Sequence, residues 1–199
     1  MVATVTIVEL TGAGPAYTTI TDRVRLFTAD QATTQGAPQT TYPVPIPAAS
    51  FNYSYWKAIA LKLAGSGFTI TNIRHYGTGS ATGWTYGTGG ALQRGARDSG
   101  DQGCPAANYQ AALGTQGTTG YPISDGTNGH AYYKGQTTPV VDAAADTSGS
   151  PCIIDNTSTY TTAGYTKEIV LQVKVDTAAN GAVQGTQTAY TFTFKYDEA

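Results

Sequence analysis

Strict alternation of aromatic and polar side chains near the C-terminus is the feature that most restricts the fold of this chain. It runs from Thr188 to Tyr196. Successive side chains of a β-strand point to opposite faces, so a period of two predicts a strand with one buried face. The predicted buried face carries Tyr190, Phe192, Phe194 and Tyr196, and the opposite face carries Thr191, Thr193 and Lys195.

Three other segments repeat this period: 2–10, 57–63 and 167–175. In the last of these, one face holds Ile169, Leu171, Val173 and Val175, and the other holds Glu168, Gln172 and Lys174. The dense turn residues at 65–67 predict a hairpin between 57–63 and a strand at 68–76. Helix is the alternative for 56–64, because Ala, Leu and Lys are good helix formers.

These strands predict an all-β fold, an antiparallel β-sandwich of the Ig-like or jelly-roll-like kind. We expect a single domain over 1–199, with core strands from 1–76 and 153–199. The inserted region 77–152 is loop-rich and contains most of the 24 glycines together with many tyrosines. Because it has too many large apolar groups for a solvated linker, we predict a long excursion. It would fold against the sandwich or against a neighbouring subunit.

The chain carries little charge, with 12% charged residues and a net charge of −2. This is about half the usual charged share of a globular protein. No basic stripe is present, which argues against nucleic-acid binding. No apolar run approaches the roughly 18 residues of a membrane helix. The N-terminus lacks a signal-peptide pattern, so we expect synthesis in the cytoplasm without a leader.

Residues with catalytic or metal-binding chemistry are few. The two histidines, His75 and His130, have no metal-ligand spacing, and there is no nucleophile elbow or phosphate-binding loop. We therefore expect no enzymatic activity, no catalytic residues, no metal and no cofactor. The oxygen-rich loops 98–101 and 125–128 fit either calcium binding or ordinary turn chemistry, and the composition favours turns.

The two cysteines, Cys104 and Cys152, leave two alternatives open. They are either free buried thiols or a disulfide that closes a long loop. By loop-closure entropy, such a bond would contribute about 3–4 kcal/mol.

Aromatic residues are the candidate contact groups for a partner. Rings of this kind are enriched at protein interfaces and can also stack on sugars. The candidates are Trp56, Trp84, Tyr86, Tyr109, Tyr121, Tyr132 and Tyr133.

Three segments together resemble β-sandwich structural proteins of tailed viruses: 24–30, the run 43–47 with 53–57, and 190–198. The resemblance implies a non-enzymatic virion protein, made in the host cytoplasm, that decorates the capsid surface. Its expected partners are the major capsid protein or other virion proteins and further copies of itself as a homo-oligomer, not nucleic acid or membrane. The alternatives are a tail or fibre component, a carbohydrate-binding module, or a subunit of an extracellular filament or surface layer.

Overall fold

The computed structural model describes residues 2–34, 37–79, 81–185 and 187–199. Nearly all of its regular structure is β, in one sheet of ten antiparallel strands and a small two-stranded sheet. The predicted all-β, antiparallel, sandwich-like fold class is therefore confirmed. The strands are β1 (Thr4–Thr11), β2 (Ala16–Thr19), β3 (Asn52–Tyr53), β4 (Lys57–Gly77), β5 (Ala91–Gly95), β6 (Gly114–Thr115), β7 (Thr119–Gly120), β8 (Val140–Asp142), β9 (Cys152–Asp155), β10 (Tyr160–Tyr165), β11 (Ile169–Val175) and β12 (Phe192–Glu198).

Helical structure is limited to short pieces. One turn of α-helix, α1, covers Pro38–Thr41, and single 3-10 turns cover Ala106–Asn108, Ala143–Ala145 and Ala178–Asn180. None of the helices in the described parts of the chain is long and apolar enough to cross a membrane.

The central element is β4, a strand of 21 residues. Its first half pairs with β1 and β11, and its second half pairs with β9 and β12. The hairpin predicted at 65–67 is therefore wrong, and so is the helical alternative for 56–64. Gly65 and Gly67 have φ of 107° and 70°. These angles let the strand change direction while β10 continues to pair across the bend, with register shifts.

The main sheet has the order β2-β1-β4-β11-β5-β8, and β3, β9, β10 and β12 pair off this path. β5 lies beside β11, and β8 lies beside β5. Both strands come from the region 77–152, for which the sequence predicts a position outside the core sheet. The core strands therefore extend beyond 1–76 and 153–199.

Two apolar cores lie on opposite faces of the sheet. Along β11, Leu171 and Val173 enter the first, and Val170 enters the second. The first, called the sandwich core, also receives the half-buried rings predicted for the last strand, Tyr190, Phe192, Phe194 and Tyr196. The second, called the loop-covered core, takes most of its cover from the segment 104–140. The contributors from that segment are Cys104, Tyr109, Ala112, Ile123, Tyr132, Tyr133 and Val140.

The bend in β4 generates the first prediction. Gly65→Ala should lower the free energy of unfolding by about 1–2 kcal/mol, because a side chain disfavours its positive φ even though no atom lies within 4 Å of the position that a Cβ would take. Gly164→Ala is the matched control, since Gly164 is on the neighbouring strand, has equal space and has no positive φ. Urea denaturation of both variants checks this. Equal losses would mean that the bend does not depend on the conformation of Gly65.

Candidate functional site

Three side chains with acid–base and metal-binding chemistry meet in the loop-covered core: Cys104, His130 and Glu168. One candidate ligand atom from each lies within 4.8 Å of the other two. None of the three residues is more than 1% exposed. We call this group the buried triad. Its members come from distant parts of the chain, so only the tertiary fold brings them together.

A two-way backbone bridge places Cys104 opposite Glu168. The N–H of Cys104 donates to the carbonyl of Glu168 at 2.8 Å, and the N–H of Glu168 donates to the carbonyl of Cys104 at 2.9 Å. Glu168 immediately precedes Ile169, whose side chain enters the sandwich core. Because side chains alternate along a strand, the Glu168 carboxyl group points to the other face, beneath the loops.

A network of turns holds His130 over this bridge. The Asp125 carboxylate accepts the N–H groups of Thr127 and Asn128, which closes the preceding turn. The N–H of His130 donates to the carbonyl of Ile123 at 3.0 Å. The imidazole ring packs against two aromatic rings, with centroid distances of 5.6 Å to Trp56 and 5.0 Å to Tyr133.

Burial drives all three groups of the triad toward their neutral forms. Desolvation raises the pKa of Glu168 to about 8, although a hydrogen bond with Cys104 opposes the shift. Desolvation also raises the pKa of the Cys104 thiol, and the Glu168 carboxylate raises it further. Burial lowers the pKa of His130 to about 4. Four polar side-chain atoms are buried without a hydrogen-bond partner among the described residues, and two of them belong to the triad: Nε2 of His130 and Oε1 of Glu168.

The arrangement suits metal binding better than nucleophilic catalysis. A catalytic cysteine needs a lowered pKa and access for its substrate. Cys104 has a raised pKa and no exposed surface. Cysteine, histidine and glutamate do, however, supply the sulfur, nitrogen and oxygen atoms that bind zinc.

A second polar group lies on the opposite side of the sheet, beside the sandwich core. The Arg94 guanidinium donates to Asp146 through two nitrogens, at 2.5 and 2.8 Å. His75 lies opposite Cys152 in the β4–β9 register and packs its ring against Phe192 and Phe194. Burial lowers the pKa of His75 to about 3, with a further contribution from the Arg94 charge, and raises the pKa of Cys152 to about 12.

The disulfide alternative for Cys104 and Cys152 is wrong in this structure, where both cysteines are free and buried. Cys104 belongs to the loop-covered core and Cys152 to the sandwich core. The sheet lies between them, so their side chains cannot meet without moving a strand.

The predicted contact aromatics differ in exposure. Trp56 and Tyr133 are buried, and each donates to a backbone carbonyl, of Gln110 and Gln102 respectively. These two residues cannot contact a partner, so their assignment is corrected. Tyr121 is exposed, at 39%. The other four are half-buried: Trp84, Tyr86, Tyr109 and Tyr132.

The 125–128 loop follows the turn interpretation, whereas the carboxylates of the 98–101 loop are bound by residues distant in the chain. The Asp98 carboxylate accepts the N–H groups of Thr137 and Thr138. Asp101 forms an ion pair with Lys167 at 2.7 Å. Asp125 caps its own turn, as described above. Their carboxylates are thus already engaged by protein donors.

Comparison with known proteins identifies no relative of the chain. No family model matches the chain, and neither the curated proteins nor the solved structures contain a significant match.

Sequence reasoning missed the buried triad because its three members have no motif spacing. One signal was available: Glu168 and Gln172 share the polar face of 167–175. The loop-rich region 77–152, with its many large apolar groups, had to cover some face of the sheet. A polar face under such a cover would concentrate buried polar groups.

The second prediction concerns the free energy of unfolding, which should fall in acid because His75 is buried in its neutral form. His75 lies near Arg94, which is paired with Asp146, and opposite Cys152, and it packs against the rings of Phe192 and Phe194. The folded state keeps it neutral down to about pH 3, whereas the unfolded chain protonates it near pH 6.5. The stabilising contribution is therefore complete above pH 6.5 and is lost as pH falls towards 3.

Denaturant titrations of the wild type and His75→Gln between pH 6.5 and pH 4 measure this effect. The wild type should lose stability more steeply, by up to about 1.4 kcal/mol per pH unit. His130 titrates in both proteins, so its contribution cancels in the difference. Parallel pH profiles would contradict a neutral, buried His75.

Proposed function

We propose that this protein is a non-enzymatic virion structural protein, a capsid-surface or decoration protein that binds the shell and copies of itself. The observation that carries the proposal is the distribution of chemistry between interior and surface. The thiols and imidazoles are sealed in the two cores, whereas several large apolar side chains are exposed on the surface. That distribution suits a contact protein better than a catalyst. The sequence resemblance to virion β-sandwich proteins supports the same class.

The strongest contact candidate is a pair of side chains beside the β6–β7 hairpin. Leu113 is 48% exposed and Tyr121 is 39% exposed. The N–H of Tyr121 donates to the carbonyl of Leu113 at 2.9 Å, which sets the two residues opposite each other. Directly opposed residues of an antiparallel pair project on the same face. Leu113 and Tyr121 thus form one apolar surface, called the hairpin patch.

Two glycines hold the hairpin patch firmly against the protein. A Cβ on Gly120 would lie 2.5 Å from the carbonyl oxygen of Ser54, and one on Gly114 would lie 2.8 Å from the Tyr55 ring. The close approach requires glycine at both positions. A patch with a fixed position loses little conformational freedom when a partner binds.

The partner that fits the hairpin patch is a protein shell rather than a charged polymer. The chain has 12% charged residues and a net charge of −2. Contacts would therefore be mainly apolar, with an interface of at least about 1,000 Å² for specific binding. Such an interface should respond weakly to salt, because few charges are available to be screened.

A carbohydrate-binding module is the second candidate, and one recess favours it. This recess has a volume of about 420 Å³, and Tyr86 and Asp142 contribute to its lining. An aromatic ring beside a carboxylate provides stacking and hydrogen bonding for a sugar. Trp56, by contrast, is buried and has no part in such binding.

The third prediction tests both candidates. Wild-type protein should bind undecorated virus shells saturably, and the double variant Leu113→Ser/Tyr121→Ser should bind at least about tenfold more weakly, a loss of about 1.4 kcal/mol. Val183→Ser is the matched control, because Val183 is 59% exposed and lies beside Thr85 rather than beside the hairpin. Shell sedimentation at two salt concentrations measures the binding.

A glycan array run with the same proteins supplies the opposing outcome. Saturable glycan binding that is lost in Tyr86→Ala, without any shell binding, would overturn the structural proposal in favour of sugar recognition. If the double variant and Val183→Ser bind shells equally well, the hairpin patch is not part of the interface.

A further inference from the structure

We propose that Cys104, His130 and Glu168 form a structural zinc site that fastens the segment 104–140, called the loop layer, to the sheet. The proposal concerns the interior of the molecule and does not depend on which partner the protein binds. It rests on the donor set, on the geometry of the triad and on its two unpartnered atoms.

The donor set favours a transition-metal ion such as zinc over calcium or magnesium. Calcium and magnesium prefer sites made of oxygen ligands, whereas zinc binds cysteine sulfur, histidine nitrogen and carboxylate oxygen. Structural zinc sites usually have four protein ligands, and the buried triad supplies three side chains, none of them more than 1% exposed. A closed site also agrees with the absence of surface access for a substrate.

The distances in the triad fit a metal after a small contraction. The three candidate ligand atoms lie within 4.8 Å of one another. Ligand atoms around tetrahedral zinc are about 3.5 Å apart, as follows from zinc–ligand bonds of about 2.0–2.3 Å. Side-chain rotations that move each atom inward by on the order of 1 Å close this difference. Bidentate binding by both oxygens of Glu168 would complete only a distorted four-coordinate set, because the two oxygens of one carboxylate lie closer together than two vertices of a regular tetrahedron.

The unpartnered atoms point to a missing ligand. Nε2 of His130 and Oε1 of Glu168 are both buried and unsatisfied among the described residues. A buried polar atom without a partner destabilises the folded state, so such atoms are few in native proteins. A zinc ion bound to both atoms removes this cost at two positions together.

The surroundings of His130 also suit a ligand role. When Nε2 binds a metal, the neutral imidazole carries its proton on Nδ1. In the present structure Nδ1 accepts the N–H of Tyr132 at 3.3 Å, so zinc binding at Nε2 requires this long hydrogen bond to break and the imidazole to turn its Nδ1–H away from that donor. The rings of Trp56 and Tyr133 restrict the orientation of the imidazole. Restraint of this kind preorganises a metal ligand.

The His75–Cys152 pair provides an internal contrast. It has the same two residue types and is also buried, and Nδ1 of His75 likewise has no hydrogen-bond partner among the described residues. The positive charge of Arg94 acts on both residues, and the nearby Asp146 carboxylate is engaged by that arginine. A cation is therefore disfavoured there, and the pair gives matched control positions on the opposite face of the same sheet.

Refolding the full chain from denaturant with zinc, or with a chelator, tests the site, because loading a sealed site requires the ligands to be open. After gel filtration, elemental mass spectrometry should find one zinc per chain in the first sample. Its melting temperature should exceed that of the chelator sample by several degrees. Refolding with cobalt should give a thiolate-to-metal absorption band and the intense visible bands of a four-coordinate site.

Variants assign the ligands. Cys104→Ser and His130→Gln should each weaken zinc binding by more than about 100-fold, since the loss of a residue that only supports a ligand already costs about 10–100-fold. Cys104→Ser should also abolish the thiolate–cobalt band. Cys152→Ser and His75→Gln should keep full stoichiometry and the cobalt spectrum. Circular dichroism checks that each variant is folded.

Two results would overturn the proposal. One is folded wild-type protein, refolded with zinc or cobalt, that contains no stoichiometric metal. The other is a thiolate–cobalt band that persists in Cys104→Ser and disappears in Cys152→Ser. The wild-type cobalt spectrum decides the question even if a triad variant fails to fold.

Discussion

The backbone hydrogen bonds of β4 hold together strands from both ends of the chain. β1 and β11 pair with its first half, β9 and β12 pair with its second half, and β10 pairs across the bend. The positive φ of Gly65 and Gly67, with the register shifts of β10 across them, lets one continuous strand pair with both groups of strands. The two cores form on the faces of the sheet, so their positions depend on its register.

Because both faces of the sheet are covered, buried polar side chains on the sheet need hydrogen-bond partners inside the protein. The side-chain amide of Gln172 on β11 has such partners for both its nitrogen and its oxygen. Its amide donates to the carbonyls of Ser54 and Tyr121 at 2.8 Å, and its oxygen accepts the N–H of Ile123 at 3.0 Å. These bonds attach the loop layer to the sheet. Glu168 lies on the same face and keeps one unpartnered oxygen. A zinc ion there would complete a second attachment between the same two layers.

The separation of the two cores explains several differences between expectation and structure. Cys104 and Cys152 are both buried, yet the sheet places them on opposite faces, so no disulfide forms. Trp56 and Tyr133 are of residue types that often contact partners, yet the fold buries both of them. Tyr121, next to the β6–β7 hairpin, remains available. Residue type alone does not distinguish these cases, because exposure depends on what packs above each side chain.

The sequence by itself determined the β class, the position of β11 and the inward face of Tyr190, Phe192, Phe194 and Tyr196, because alternation is a local property of a strand. It did not determine that 57–77 forms one strand, since a glycine pair permits either a reversal or a bend and only the partners of both halves decide between them. The meeting of Cys104, His130 and Glu168 was likewise decided by tertiary structure. These residues are far apart in the chain, and their proximity arises from a long-range backbone bridge and a turn packed over it.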